Sequence, residues 1–131
     1  MATKMSELPI LTRAESELMA LFWRHGAMTV SALHERLSDR AYTSLATLVK
    51  ILEQKGYLTH AEQPDARAFV YRAAVEPGLA KKKHVRDLVD RLFGGKSSEL
   101  VVGLLGDEKL SRADLEALRA QIDERLKGTR K

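Results

Sequence analysis

The sequence predicts a mainly α fold with a small β-hairpin: three helices, two short strands, then three more helices. Three observations carry that reading. Apolar residues recur at helical spacing in six separate stretches. Residues 57–73 break the pattern with two short runs rich in Tyr, Phe, Val and Thr around Gln63-Pro64-Asp65-Ala66-Arg67, a turn by composition. Start and stop signals punctuate the helical stretches, from Thr12-Arg13-Ala14-Glu15 to Ser111…Asp114.

Residues 1–9 lack periodicity and are expected to form a flexible arm. Thr12 and Glu15 make a capping box for a first helix that runs to about His25, with Leu18, Met19, Leu21 and Phe22 on its buried side and Gly26 as its stop. Thr29 caps a second helix over residues 30–37, with Val30, Leu33 and Leu37 facing in. After the turn Ser38-Asp39-Arg40 comes the third, over residues 41–55. Leu45, Leu48, Val49 and Leu52 form its apolar stripe, and Lys55-Gly56 reads as its end, a cation in the last turn followed by a residue that accepts left-handed geometry. Its other face holds Thr43, Ala46, Thr47, Lys50 and Gln54. Short hydroxyls and methyls around one lysine are unusual for a solvated face, and they allow close approach to another surface. Threonine in particular offers a hydroxyl and a methyl to base edges in a major groove. The hairpin follows, carrying Arg67 at its tip and Arg72 on the returning strand. Three helices and a hairpin in this order make an N-terminal winged helix-turn-helix, in which the third helix enters the groove and the hairpin lies along the backbone.

Pro77-Gly78 marks a boundary, giving a winged-helix domain over residues 1–74 and a helical segment over residues 75–131. The fourth helix, to about Phe93, aligns Val85, Leu88, Val89, Leu92 and Phe93. Ser97 or Ser98 is expected to cap a fifth with Leu100, Val101, Leu104 and Leu105, and Ser111 with Asp114 caps a sixth bearing Leu115, Leu118, Ile122 and Leu126. About fifty residues is marginal for a separate core. We therefore expect these stripes to pair with a second copy as a homodimer, rather than to pack back on residues 1–74.

Bulk composition excludes several classes. The 131 residues contain no cysteine, which removes disulfides, thiolate metal sites and a cysteine nucleophile. No apolar run reaches the length of a signal peptide or a membrane span, so a cytoplasmic protein with no membrane contact is expected. The net charge is +4. Residues 1–74 hold nine basic and eight acidic residues, so composition permits nucleic-acid binding without arguing for it. His25, His34, His60 and His84 lie on separate elements with no ligand spacing, and neither a metal site nor a cofactor is expected. Gly94-Gly95-Lys96-Ser97 mimics the end of a phosphate-binding loop but lacks the upstream glycine and the strand. No nucleophile elbow or acid–base pair is in place, so an enzyme is not expected.

Leu11-Thr12-Arg13-Ala14-Glu15, Leu21-Phe22-Trp23, Val30-Ser31-Ala32-Leu33, Ala41 to Leu48, Lys55-Gly56-Tyr57-Leu58 and the late Phe93-Gly94-Gly95 together resemble the penicillinase-repressor family of bacterial regulators (BlaI/MecI/CopY type). The resemblance covers nearly the whole chain. It implies a homodimeric winged-helix transcriptional repressor of palindromic double-stranded DNA operators, often TACA…TGTA, that turns off resistance or stress genes. Thr43, Ser44, Ala46, Thr47 and Lys50 would then face DNA. Arg67, Arg72 and the hairpin would lie at the backbone, and Leu88, Leu92, Leu104, Leu115, Leu118, Ile122 and Leu126 at the dimer interface. The chain departs from the family in having Pro64-Asp65-Ala66-Arg67 where Gly usually neighbours Arg, Ile51 where Arg is common, and no C-terminal Cys pairs of the copper-sensing members. A regulatory protease stays open as a partner, since Gly103-Leu104 stands where protease-relieved members carry Asn-Phe. The alternative reading is a winged-helix protein-interaction module without DNA binding, which the +1 charge of residues 1–74 favours and the small-residue face opposes.

Overall fold

The computed structural model describes residues 8–62 and 68–129. Its elements are α1 (Arg13–His25), α2 (Val30–Arg36), α3 (Tyr42–Gln54), β1 (Leu58–Glu62), β2 (Phe69–Ala73), α4 (Pro77–Leu92), α5 (Ser97–Leu105) and α6 (Arg112–Gly128). They fall into two compact units, Met1–Val85 and Arg86–Lys131.

In the first unit the expected signals act locally. The Thr12 hydroxyl accepts from the Glu15 amide at 3.2 Å, and the Glu15 carboxylate accepts from the Thr12 amide at 2.8 Å. Thr29 caps α2 by accepting from Ala32 N at 3.1 Å. Gly26 and Gly56 adopt φ of +83° and +90°, left-handed values that favour glycine and let the chain leave α1 and α3. The core is built from the predicted stripes: Leu18, Met19 and Phe22 of α1, Leu33 of α2, and Leu45, Val49 and Leu52 of α3. Tyr57, Leu58 and Tyr71 close it from the hairpin, and Val75 and Ala80 from the chain that follows. Leu21, Val30, Leu37 and Leu48 pack at its margin.

β1 and β2 pair antiparallel, Leu58 opposite Ala73 and His60 opposite Tyr71. Their register puts Leu58, His60 and Tyr71 on one face, Thr59 and Arg72 on the other. A third, one-residue strand escaped sequence reading. Met28 exchanges both backbone hydrogen bonds with Tyr71, at 2.9 and 2.8 Å, so the link between α1 and α2 pairs with the outer edge of β2.

The N-terminal segment departs from expectation. Leu8 is 2% exposed and belongs to the core, so the part of the expected flexible arm that is described is docked. Tyr57 Oη donates to the Pro9 carbonyl at 2.6 Å, and Lys55 Nζ donates to the Ile10 carbonyl at 3.2 Å. Lys55 closes α3 as its C-cap residue, as the expected helix end requires, and has a further role. Its ammonium sits 2.6 Å from the Glu15 carboxylate, itself 3% exposed. Burial works against ionising Glu15, but the hydrogen bonds and charge supplied by Lys55, with the Thr12 amide, outweigh it and hold the carboxyl below its usual range.

In the second unit, α6 opens with the expected box, Ser111 accepting from Asp114 N and Asp114 accepting from Ser111 N, both at 3.0 Å. The expected serine cap of α5 is absent. Gly94 and Gly95 take φ of +58° and +82°, Lys96 becomes the N-cap with no side-chain bond, and Ser97 and Ser98 fall inside the first turn. Among the described residues of this unit only Val89 is buried.

Candidate nucleic-acid interface

α3 presents the face its sequence predicts. With Leu45, Val49 and Leu52 buried, Thr43, Ser44, Thr47, Lys50 and Gln54 are exposed and Ala46 is half-buried between them. Ala41 supplies no side-chain cap and the first turn holds no acid, so the amides opening the helix remain available to an anion. Thr47 Oγ donates to the Thr43 carbonyl at 2.9 Å, the i−4 back-bond of a helical hydroxyl. The Thr47 proton is thereby committed within the helix, which leaves its methyl, and Oγ1 as an acceptor only, to meet a neighbour. Lys50 forms no ion pair among the described residues, whereas the one acid of α3, Glu53, is bound to His60. Among the described residues the exposed face therefore carries one free cation and no competing carboxylate. Tyr42, 46% exposed, stands at the helix start with its ring edge-on to His34 at 5.8 Å.

The hairpin residues are placed differently. Arg67 lies outside the described residues. Arg72 is exposed on the sheet face opposite Tyr71, and lines a surface hollow of about 420 Å3 with Trp23, Gly26, Ala27 and Glu76. The structure thus brings together Thr43, Ser44, Ala46, Thr47 and Lys50 on one helix, while Arg72 occupies a separate surface to which α3 contributes no lining residue.

What sequence reading missed are the contacts that hold this face in place. Glu15 and Lys55 each carried a local signal, a cap and a helix end, that hid their mutual pairing across 40 residues. Trp23 Nε1 donates to the Val75 carbonyl at 2.8 Å, and the Leu11 amide donates to His84 Nε2 at 2.9 Å. No short-range pattern announces either.

The second unit offers a contrasting surface. Leu88, Leu92, Leu104, Leu115, Leu118, Ile122 and Leu126 are all exposed, from 38% at Leu88 to 69% at Leu92. Between α5 and α6 a groove of about 430 Å3 is lined by Val101, Leu105, Leu118, Ile122 and Leu126, with Gln121 and Arg125 at its polar positions. Contiguous apolar area of this kind marks an interaction surface. No helix among the described residues is long and apolar enough to cross a membrane.

The chain resembles known proteins along nearly its whole length. The penicillinase repressor of Bacillus licheniformis is 25% identical over 123 residues, covering 92% of this chain and 94% of that protein. The methicillin resistance regulatory protein MecI of Staphylococcus aureus (strain N315) is 25% identical over 112 residues, 83% of this chain and 89% of its own. In fold, wild-type MarR (apo form) from E. coli superposes with a TM-score of 0.50 at 17% identity, over 88% of this chain and 78% of that one. The family model described as Penicillinase repressor matches residues 11–124, from the capping box of α1 into α6. With a winged-helix fold and a match of that extent, the chain belongs to the penicillinase repressor family, whose members are repressors of transcription and not enzymes.

Proposed function

We propose that this protein is a DNA-binding transcriptional repressor that acts in the cytoplasm as a homodimer. On this reading it occupies palindromic operators of the TACA…TGTA type and controls resistance or stress-response genes. The observation that carries the reading is the α3 face: small side chains, one lysine unpaired among the described residues and no competing acid there, held on a buried scaffold. Family membership supports it, as does the name of its Bacillus licheniformis relative. We assign DNA contact to Thr43, Ser44, Ala46, Thr47 and Lys50, with Arg67 and Arg72 serving the backbone from the hairpin. Residues 1–74 do the reading and residues 75–131 the pairing, through the exposed leucines and Ile122. Gly103-Leu104 lies on α5, whose described residues include none that is buried, so a regulatory protease has access to it in the monomer.

The test is binding to a TACA…TGTA duplex and to a random duplex over a salt series. Each neutralised phosphate contributes about −0.9 to the log–log slope. Lys50→Ala should weaken both duplexes alike and flatten the slope by roughly 1 per subunit. Absence of salt-dependent binding would favour a protein-interaction module instead, the reading to which the +1 charge of residues 1–74 points.

A further inference from the structure

We propose that Leu8–Leu11 is a strap that couples the end of α3 to the first half of α4, with Tyr57, Lys55 and His84 as positioning residues. Through it, the separation at which a dimer presents its two α3 helices is set. The second part rests on the dimeric DNA-binding reading; the first does not.

Four successive residues of the strap are each held by a different group. Leu8 is an apolar anchor in the core. The Pro9 carbonyl takes the hydroxyl of Tyr57, a residue with no exposed surface, whose burial, with Glu15 nearby, raises its pKa and keeps it a donor. The Ile10 carbonyl takes Lys55, the C-cap residue of α3, whose own amide still donates to Ile51 O at 2.9 Å. The Leu11 amide turns the other way, to His84 on α4. His84 can accept there because its other ring nitrogen, Nδ1, lies 2.7 Å from the Ala80 carbonyl and must donate to it, which fixes the tautomer.

Four residues reach at most about 14 Å, so the groups that hold the strap are joined through a short length of chain. Among the described residues no other hydrogen bond or ion pair joins α3 to α4, either directly or through a single intermediate side chain. α4 then continues unbroken from Pro77 to Leu92, carrying Leu88 and Leu92 of the surface assigned to the partner. A shift of the strap therefore moves the helix that reads relative to the helix that leads into pairing.

Two measurements on the full chain test this, using Tyr57→Phe, His84→Ala and His84→Gln, none of which touches the proposed DNA face. Amide hydrogen exchange without DNA reads the coupling. Tyr57→Phe should speed exchange at Leu11 by about fivefold or more, and His84→Ala should do so at Lys55, while His84→Gln, which restores an acceptor, should not. Changes confined to the mutated end overturn the strap. Binding to duplexes whose TACA and TGTA half-sites stand at a series of separations reads the consequence. The unmodified chain should prefer one separation by about tenfold, and His84→Ala should cut that preference to about threefold with single half-site affinity unchanged. An unaltered preference in His84→Ala overturns the positioning role. If the unmodified chain binds none of these duplexes, the DNA reading has failed, and the exchange data alone decide on the strap.

Discussion

Replacing Lys55 by Met strands a charge that the fold has hidden. Glu15 is 3% exposed, and its acidic group depends on the ammonium 2.6 Å away. Breaking a fully buried pair by removing one partner costs about 3–5 kcal/mol. The Lys55 side chain keeps 23% of its surface wet, so we place the loss lower, at about 2–4 kcal/mol at pH 7. The only tryptophan, Trp23, lies in the same unit and reports its unfolding by fluorescence in urea. With a slope of about 1–3 kcal/mol per molar urea, a loss of this size moves the midpoint by about 0.7–4 M. Acid should narrow the difference. In the intact pair Glu15 titrates below its ordinary 4.5, so the unfolded chain binds more protons than the folded one between the two values. The stabilisation is complete above pH 4.5 and fades as the pH falls through the folded value. In Lys55→Met the buried acid instead gains by protonation. The gap between the two proteins should therefore narrow as the pH falls through the folded value, leaving the part due to the lost Lys55–Ile10 hydrogen bond. A gap that stays constant from neutral to acid pH would refute the charge argument and assign the loss to packing.

Four further expectations follow from the surfaces and the core. Because the Thr47 hydroxyl is committed to the Thr43 carbonyl, Thr47→Val should bind a TACA…TGTA duplex nearly as well as threonine. Thr47→Ala should lose on the order of 1 kcal/mol of discrimination at one base pair; a Val variant as weak as Ala would show that the hydroxyl reads. Leu118→Asp with Ile122→Asp puts charges into the exposed α6 stripe, where burial against a partner would cost several kcal/mol, and sedimentation at micromolar concentration should find monomer. A fragment of residues 1–85 should stay folded, yet bind the palindrome far more weakly than the full chain, because it loses the second, intramolecular contact. A fragment of residues 1–74 should be less stable than the 1–85 fragment by urea denaturation, since it lacks the buried Val75 and Ala80.

Much of the fold was legible because its determinants are local. Leu45, Val49 and Leu52 announce their burial by spacing alone, and the Thr12–Glu15 and Ser111–Asp114 boxes close within three residues. The α3 face was legible for the same reason, since what is exposed is what the stripe leaves over. The misreadings have a common physical origin. Lys55 was read only against the helix end that it does cap, while its partner is 40 residues away; the Leu11–His84 bond spans 73. Leu8 is a single apolar residue in an aperiodic stretch, and Met28 forms a one-residue strand with no alternation to betray it. The serines after Gly94-Gly95 have the right chemistry for a cap, but two consecutive left-handed residues start the helix one position too early for either to serve. Pattern reveals which side of an element turns inward; it is silent on which distant group comes to meet it.

The bridge between Met28 and Tyr71 has a consequence for the protein's colloidal behaviour. Of the two strands, the one entered through Ala68-Phe69-Val70-Tyr71 is better suited to cross-β stacking, aromatic and β-branched with neither charge nor proline in that run. A hairpin alone would leave the outer rim of β2 as a template for another molecule's strand. Here Tyr71 spends its amide and carbonyl on Met28, β1 occupies the opposite rim, and Arg72 stands next in line as a charged gatekeeper. One residue borrowed from the link between two helices thus makes the stickiest strand an interior one, and substitutions that dislodge Met28 should first be noticed as turbidity on concentration, before any loss of helix content.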